Sequence, residues 1–184
     1  MSRGIALLVL ALIACSQEPH SSSTSPTSPP VTYDSLRQRP MALPTVISDG
    51  LCPVSRPAPA SKAPKGSFVP NGFGEGPVYL TGQGGPGWYS DQEVRLIVDP
   101  AYPDIVLIRG KQLNGSQGMP LAAVPPAPSP EIQIPSGHSP SGRQWAGRIL
   151  MSEPGCFGLQ IDGSSFEEGI VFEVQPGTAP ILPA

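Results

Sequence analysis

The cysteines are the residues of this chain whose sequence context says most about their chemical role. The chain has 184 residues and three cysteines, Cys15, Cys52 and Cys156. A cysteine thiol can be modified, can pair in a disulfide or can bind a metal. Cys15 directly follows an uncharged apolar run from Ile5 to Ala14. A membrane-spanning helix needs about 20 apolar residues, so this shorter run is typical of the apolar region of a secretory signal.

The quartet Leu12-Ile13-Ala14-Cys15 resembles the lipobox of bacterial lipoproteins. In that family the signal is removed before the cysteine, which then carries a diacylglycerol on its thiol. The resemblance implies that residues 1–14 are a signal peptide and that Cys15 is the lipidated N-terminus, with fatty acyl chains such as palmitate. It also implies a cell membrane or outer membrane location, facing the extracytoplasmic side. The alternative is a secreted protein whose signal happens to contain a cysteine.

The residues that follow Cys15 are typical of a tether. Ser16 to Pro30 is rich in serine, threonine and proline and contains no aromatic residue. Such a segment cannot bury enough apolar surface to offset its ordering entropy. We therefore predict a disordered tether over residues 15–48, in which Tyr33 to Leu43 is either a transition or a short adhesive segment. The folded domain is then expected over residues 49–176, followed by a tail over 177–184.

Two cysteines remain for the folded domain. In an exported domain, Cys52 and Cys156 most simply form a disulfide. Two free buried thiols or a metal site are the alternatives. A metal site is the weakest of these hypotheses, because His20 lies in the tether and His138 stands alone in a loop sequence. No cluster of possible ligands therefore has the spacing of a metal site. We expect no metal and no cofactor.

The composition argues against some partners. Charged residues make up 14% of the chain, and the formal net charge is −3. A nucleic-acid-binding protein needs a basic patch, so we expect no nucleic-acid partner. The same charge balance argues against electrostatic adhesion to anionic lipid. The membrane is expected as a partner only through the lipid on Cys15.

Short apolar runs separated by turn residues predict the fold. Pro (26) and Gly (21) interrupt nearly every window long enough for a helix. Several short strands with turns between them favour an all-β, immunoglobulin-like β-sandwich. The proline-rich stretch 117–129 is expected to be a surface loop. Strands are predicted over 77–80, 93–98, 105–110, 131–134, 144–151, 156–161 and 169–174.

The C-terminal third resembles the closing strands of a group of uncharacterised secreted bacterial proteins. The segment Cys52–Pro57 resembles the opening of that group, which carries the partner cysteine. The resemblance implies an immunoglobulin-like sandwich and no assigned activity. Asp162-Gly163 is predicted to form the turn before the final strand. The matching residues are Gly155, Cys156, Phe157, Gln160, Ile161, Asp162, Gly163, Phe166, Ile170, Val171 and Phe172.

Aromatic side chains offer the best candidate for ligand binding. Trp88 and Tyr89 follow a glycine-rich stretch and are expected to be exposed, where they could stack on a sugar or another ligand. Trp145 is expected in the core instead, as tryptophans of sandwich domains commonly are. The glycine-rich stretch itself lacks the ending of a phosphate-binding loop and is interpreted as a turn.

Catalytic constellations are not indicated. His138 and its neighbouring serines share one Pro/Gly loop without any sign of a nucleophile elbow. Asp91, Glu93, Asp99 and Asp104 fit neither a calcium loop nor a recognisable catalytic pair. We therefore expect a non-catalytic, lipid-anchored module that binds a protein or a cell-envelope component such as a polysaccharide. The alternatives are a small enzyme acting on envelope polymers and a structural subunit of an envelope complex.

Overall fold

The computed structural model describes residues 29–47, 50–58, 72–82, 88–123 and 128–177. These residues form one short helix and a series of strands. Every strand predicted from the sequence is present among them. The elements are α1 (Tyr33–Arg37), β1 (Val78–Gly82), β2 (Trp88–Tyr89), β3 (Gln92–Val98), β4 (Val106–Gln112), β5 (Leu121–Ala123), β6 (Pro128–Ser129), β7 (Glu131–Ile134), β8 (Arg143–Ile149), β9 (Gly155–Gly163) and β10 (Glu167–Gln175).

The strands form two five-stranded sheets. Sheet one has the order β1-β3-β8-β5-β6, and sheet two has the order β2-β10-β9-β4-β7. Neighbouring strands are antiparallel except for β2, which pairs in parallel with β10. In sheet two, β4, β9 and β10 follow the arrangement of the second sheet of an immunoglobulin domain. The predicted all-β sandwich is confirmed.

Alternating side chains supply the core between the sheets. Along a strand, successive side chains point to opposite faces, so every second residue can face the other sheet. In β9 the inward residues are Phe157, Leu159 and Ile161, none of which is exposed. The Phe157 ring stacks on Phe172 of β10, with their centroids 6.3 Å apart. The facing residues of sheet one include Val94, Leu96 and Val98.

Two local predictions about turns and loops differ from the structure. The stretch 117–129 is not only a surface loop, because Leu121 is buried and β5 pairs with β8. Only three residues of β5 pair there, and Pro128 lies in β6, the edge strand of sheet one, where proline is tolerated. Asp162 and Gly163 are not the turn but the last residues of β9, where Asp162 pairs with Glu167. The turn comes after them and is closed by the hydrogen bond from Gly163 N to Phe166 O at 3.0 Å.

Most of the described residues before position 58 lie against sheet two. We call residues 31–47 and 50–57 the belt. The belt covers the face of β9 and β10 that points away from the core. Leu43 packs there so closely that a Cβ on Gly158 would lie 3.0 Å from its Cδ1 atom. At the far end, Ser55 N donates to Val171 O at 2.8 Å, and Val171 N donates to Ser55 Oγ at 2.9 Å.

The belt moves the predicted boundary of the domain. We predicted a disordered tether through residue 48, whereas the compact unit begins at Val31. Helix α1 starts the belt, and its first turn is capped by the Thr32 hydroxyl, which accepts from Ser35 N. Leu36 of α1 is fully buried, and burial of an apolar side chain stabilises this docking. Within the parts of the chain that the structure describes, no helix has the length and apolar character needed to cross a membrane.

Candidate functional site

The disulfide predicted from the sequence is present. Cys52 and Cys156 are bonded, with their Cα atoms 5.4 Å apart and a sequence separation of 104. Cys156 lies in β9 on the face opposite Phe157, so its thiol points into the belt rather than into the core. The bond therefore joins the belt to the central strand of sheet two, which settles the choice among a disulfide, free thiols and a metal site for these two residues. Cys15 and His20 lie outside the residues that the structure describes.

A polar network beneath the belt holds it in register. Arg109 of β4 donates to Asp162 Oδ2 of β9 at 2.7 Å. The same guanidinium donates to the backbone carbonyls of Arg37 and Arg39, each at 3.1 Å. Asp162 is fully buried, and a buried charge needs both a partner and hydrogen bonds. Arg109 and Asp162 therefore act as a structural pair that fixes the path of the belt.

Gln160, two residues before Asp162 in β9, completes this network. Its Nε2 donates to Asp162 Oδ1 and to Pro40 O, both at 3.0 Å. Its Oε1 accepts from Ala42 N at 2.5 Å. The side chain thus pairs with the belt backbone on both its donor and its acceptor side. The resemblance had marked Gln160 and Asp162 as matching positions, but only the structure shows that they bind the N-terminal segment.

An ion pair fastens the start of the belt to the edge strand β7. Arg37 donates to Glu131 from Nη2 at 2.6 Å and from Nε at 3.0 Å. The hydrogen bond from Arg37 holds the pKa of Glu131 below its ordinary value, although partial burial opposes this shift. Gln133 Nε2 also donates to this carboxylate at 2.7 Å. Charge therefore contributes to docking at this end, whereas the disulfide secures the other.

The predicted aromatic platform is not found. Trp88 is 8% exposed, so the prediction that it is exposed is wrong. Its ring lies 5.1 Å from Phe172 and 5.7 Å from Phe73, measured between centroids, and it belongs to the core. Tyr89 is partly exposed beside it. Trp145, which was expected in the core, is only partly buried against it. A surface for stacking a sugar on Trp88 is therefore not available.

A cleft opens at the edge of the sandwich beside the end of the belt. Its volume is about 510 Å³, which is in the range of about 300–1,000 Å³ seen for ligand sites. One wall is the loop Gly74–Gly76, and Glu75 N of this loop donates to Glu168 Oε1. Gly76 has a φ of 92°, a conformation that favours glycine. The lining includes Arg56, Phe166 and Glu167.

The cleft presents charged groups of both signs. Arg56 and the carboxylates of Glu75 and Glu167 are exposed at its walls. Phe166 is partly buried and contacts Tyr102 edge to face, with the ring centroids 5.1 Å apart. Such a lining suits a ligand that carries charge, because exposed polar groups can be paired without a large desolvation cost. No sequence pattern predicted this cleft, since its residues come from three separate segments.

The remaining residues considered from the sequence take ordinary surface roles. His138 is exposed in its loop. Asp91 pairs with Arg148 at 3.0 Å, and Glu93 lies 4.0 Å from Arg95. Exposed pairs of this kind contribute little to stability. Among the residues that the structure describes, no cluster of His, Cys, Asp and Glu side chains has the composition of a metal site.

Comparison with known proteins gives a limited result. No protein-family model matches the chain, and no curated protein matches it. A solved structure described as a "Putative Lipoprotein from Bacillus anthracis" is similar, with a TM-score of 0.42 and 13% sequence identity over 62% of this chain and 86% of that one. The resemblance of the C-terminal third to a group of secreted bacterial proteins stays a prediction.

Proposed function

We propose that this chain is a lipid-anchored, extracytoplasmic module whose sandwich binds a protein or another component of the cell envelope without catalysing a reaction. The observation that carries the location is the Cys52–Cys156 disulfide. Disulfides form and persist in oxidising compartments outside the cytoplasm. The quartet Leu12-Ile13-Ala14-Cys15 supports the same location and supplies a residue for the lipid.

The architecture of the described residues supports a role in which an anchored segment holds a binding domain. The belt is joined to sheet two by the ion pair at Arg37 and by the disulfide at Cys52. A segment that comes from the lipid anchor is therefore held firmly to the sandwich. The cleft beside Arg56 then provides a charged surface at the end of this path. Binding of a charged envelope component in the cleft is the role that these features favour.

A second candidate, an enzyme acting on envelope polymers, is favoured by the glutamates of the same cleft. Glycoside hydrolases use a pair of carboxyl groups that flank the bond to be cleaved. Here one of the glutamates, Glu168, accepts a hydrogen bond from the backbone of Glu75 and thereby fixes the cleft wall. Glu167 also lines the cleft. We expect both the unaltered chain and Glu167→Gln to hydrolyse purified cell-wall polymers no faster than background. Hydrolysis that is measurable with the unaltered chain and is lost in Glu167→Gln would favour the enzyme.

The anchor is tested by metabolic labelling with a clickable fatty acid. The unaltered chain should incorporate the label and partition into the detergent phase, whereas Cys15→Ser should do neither. Ser16→Ala is the matched control and should be labelled like the unaltered chain. Label on Cys15→Ser, or its absence from the unaltered chain, would refute the anchor.

The binding role is tested with isolated cell envelopes. Glu167→Lys reverses a charge in the cleft, and Glu153→Lys makes the same change at an exposed position outside the cleft lining. Co-sedimentation of the protein with washed envelopes should fall several-fold for Glu167→Lys only. The positive group of the ligand that pairs with Glu167 would then face another positive charge. Equal retention of both variants would contradict binding in the cleft.

A further inference from the structure

Three large apolar side chains are exposed in one segment of the belt, from Ile47 to Val54. Leu51 is 97% exposed, Ile47 75% and Val54 45%. We call these three residues the apolar tip. Among the residues that the structure describes, Val31 is the other exposed large hydrophobic residue, so all four belong to the belt and none to the strands of the sandwich. Exposure of aliphatic surface to water is unfavourable, and its concentration in one segment indicates an interaction surface.

The base of the apolar tip is fixed by defined contacts. Gly50 N donates to Ile47 O at 2.8 Å, which holds these two residues close together. The residue after Leu51 is Cys52, which is bonded to β9. Three residues further on, Ser55 pairs with Val171 through both backbone and side chain. The sandwich therefore holds these aliphatic side chains in water instead of folding them against itself.

We propose that the apolar tip contacts the surface of the bilayer in which the lipid on Cys15 is anchored; this inference rests on the proposed anchor. About 16 residues separate Cys15 from the start of the belt, and a chain of this length spans at most about 55 Å. The belt, which begins at Val31, is thus confined close to the bilayer. The tip lies on the segment that follows the tether, so it is within reach of the lipid.

The charge of the segment selects the kind of lipid surface. The sequence from Pro44 to Val54 contains one charged residue, Asp49, and no basic residue. Attraction to anionic lipid requires clusters of Lys or Arg, which this segment lacks. The contact is therefore hydrophobic, between aliphatic side chains and the acyl boundary of a bilayer of zwitterionic lipid.

Tethering explains how so small a surface can be effective. Three aliphatic side chains bind a bilayer weakly when the domain diffuses freely. A short tether raises the effective concentration of the tip at the surface to about the millimolar range, so a weak contact becomes populated. Removal of two of the side chains, in Ile47→Ser with Leu51→Ser, should lower the equilibrium constant of this contact at least about tenfold.

The experiment uses the purified full chain in vesicles of phosphatidylcholine whose acyl chains are brominated, because bromine quenches tryptophan on contact. Leu51→Trp introduces a reporter in the tip, and its folding should be unaffected, since Leu51 is almost fully exposed. His138→Trp is the matched control at an exposed position of another loop. The fluorescence that Leu51→Trp adds to that of Trp88 and Trp145 should be quenched and shifted to the blue, whereas that of His138→Trp should not.

The outcomes separate the anchor from the contact. The mass of the purified chain shows whether Cys15 carries acyl chains; if it carries none, the anchor fails, and coupling of Cys15 to a maleimide phospholipid supplies the tether so that the contact is still tested. Equal quenching of Leu51→Trp and His138→Trp in anchored protein would overturn the contact. A blue shift of Leu51→Trp without vesicles that grows with protein concentration would also overturn it, because a second copy of the chain would then cover the tip. Ile47→Trp repeats the measurement at a second position.

Discussion

The network beneath the belt gives the sharpest test of how the N-terminal segment is held. Arg109→Met keeps an unbranched side chain of similar volume but removes the guanidinium. The change abolishes the 2.7 Å contact with Asp162 and both hydrogen bonds to belt carbonyls. Asp162 then keeps Gln160 as a hydrogen-bond donor but loses its counter-charge. The belt loses a link to β4 at the same time.

The size of the effect follows from burial. Asp162 is fully buried, and removal of one partner of a buried ion pair costs about 3–5 kcal/mol because a charge is left uncompensated. The carbonyls of Arg37 and Arg39 lie near the surface and can bind water, so they add at most about 1 kcal/mol each. Together these losses should lower the free energy of unfolding by about 3–7 kcal/mol. Addition of Asp162→Asn should restore about 1–3 kcal/mol, because it removes the uncompensated charge.

The assay is unfolding in urea at neutral pH, with linear extrapolation of the free energy to water. Arg95→Met is the matched control, because Arg95 is an exposed strand residue 4.0 Å from Glu93 and should change the stability by less than about 1 kcal/mol. Hydrogen exchange at Ala42 N, which donates to Gln160, reports on the belt itself. The reasoning is refuted if Arg109→Met and Arg95→Met destabilise the protein equally, or if Asp162→Asn adds to the loss.

Two further predictions concern the ends of the belt. Reduction of the disulfide, or Cys52→Ser with Cys156→Ser, should lower the free energy of unfolding by up to about 4.7 kcal/mol, the chain-entropy value for a separation near 104 residues; an unchanged urea midpoint would contradict this role. Because Arg37 lowers the pKa of Glu131 in the folded state, their pair stabilises the protein above the ordinary glutamate pKa of about 4.3 and loses this effect as the pH falls through the lowered value. A titration of Glu131 followed by NMR should therefore move toward the ordinary value in Arg37→Ala, and an unmoved titration would show that the pair has no influence.

The strands could be predicted because their local pattern and their environment agree. In β3 the alternation of Val94 and Leu96 with Glu93 and Arg95 indicates one buried face, and the structure buries Val94, Leu96 and Val98. The continuous apolar run in β4 predicted cover on both faces. There the core lies on one side and α1 lies against the strand on the other. The disulfide was also predictable, since two cysteines remained in a domain expected to be exported.

The site could not be predicted because it depends on contacts between distant segments. Burial of Trp88 is decided by Phe73 and Phe172, which pack against it from other parts of the chain. The belt gave only a weak local signal, namely the Thr32 cap with a single buried apolar residue, Leu36, in one turn of helix. It is held by Gln160, which lies 118 residues from Ala42 in the sequence, and by Arg109, which lies 70 residues from Arg39. No periodicity in the sequence reports on such pairing.

The belt also determines how the domain answers a pull on its N-terminus. Tension would first break the hydrogen bonds and the ion pair at Arg37 and then peel the chain as far as Cys52, adding up to about 70 Å of extended chain. The covalent bond to Cys156 stops the peeling there. From that point the load passes into β9, which is hydrogen-bonded to β10 on one side and to β4 on the other. Sheet one stays outside this path. Peeling of the belt would therefore lengthen the chain under tension while the sandwich remains folded.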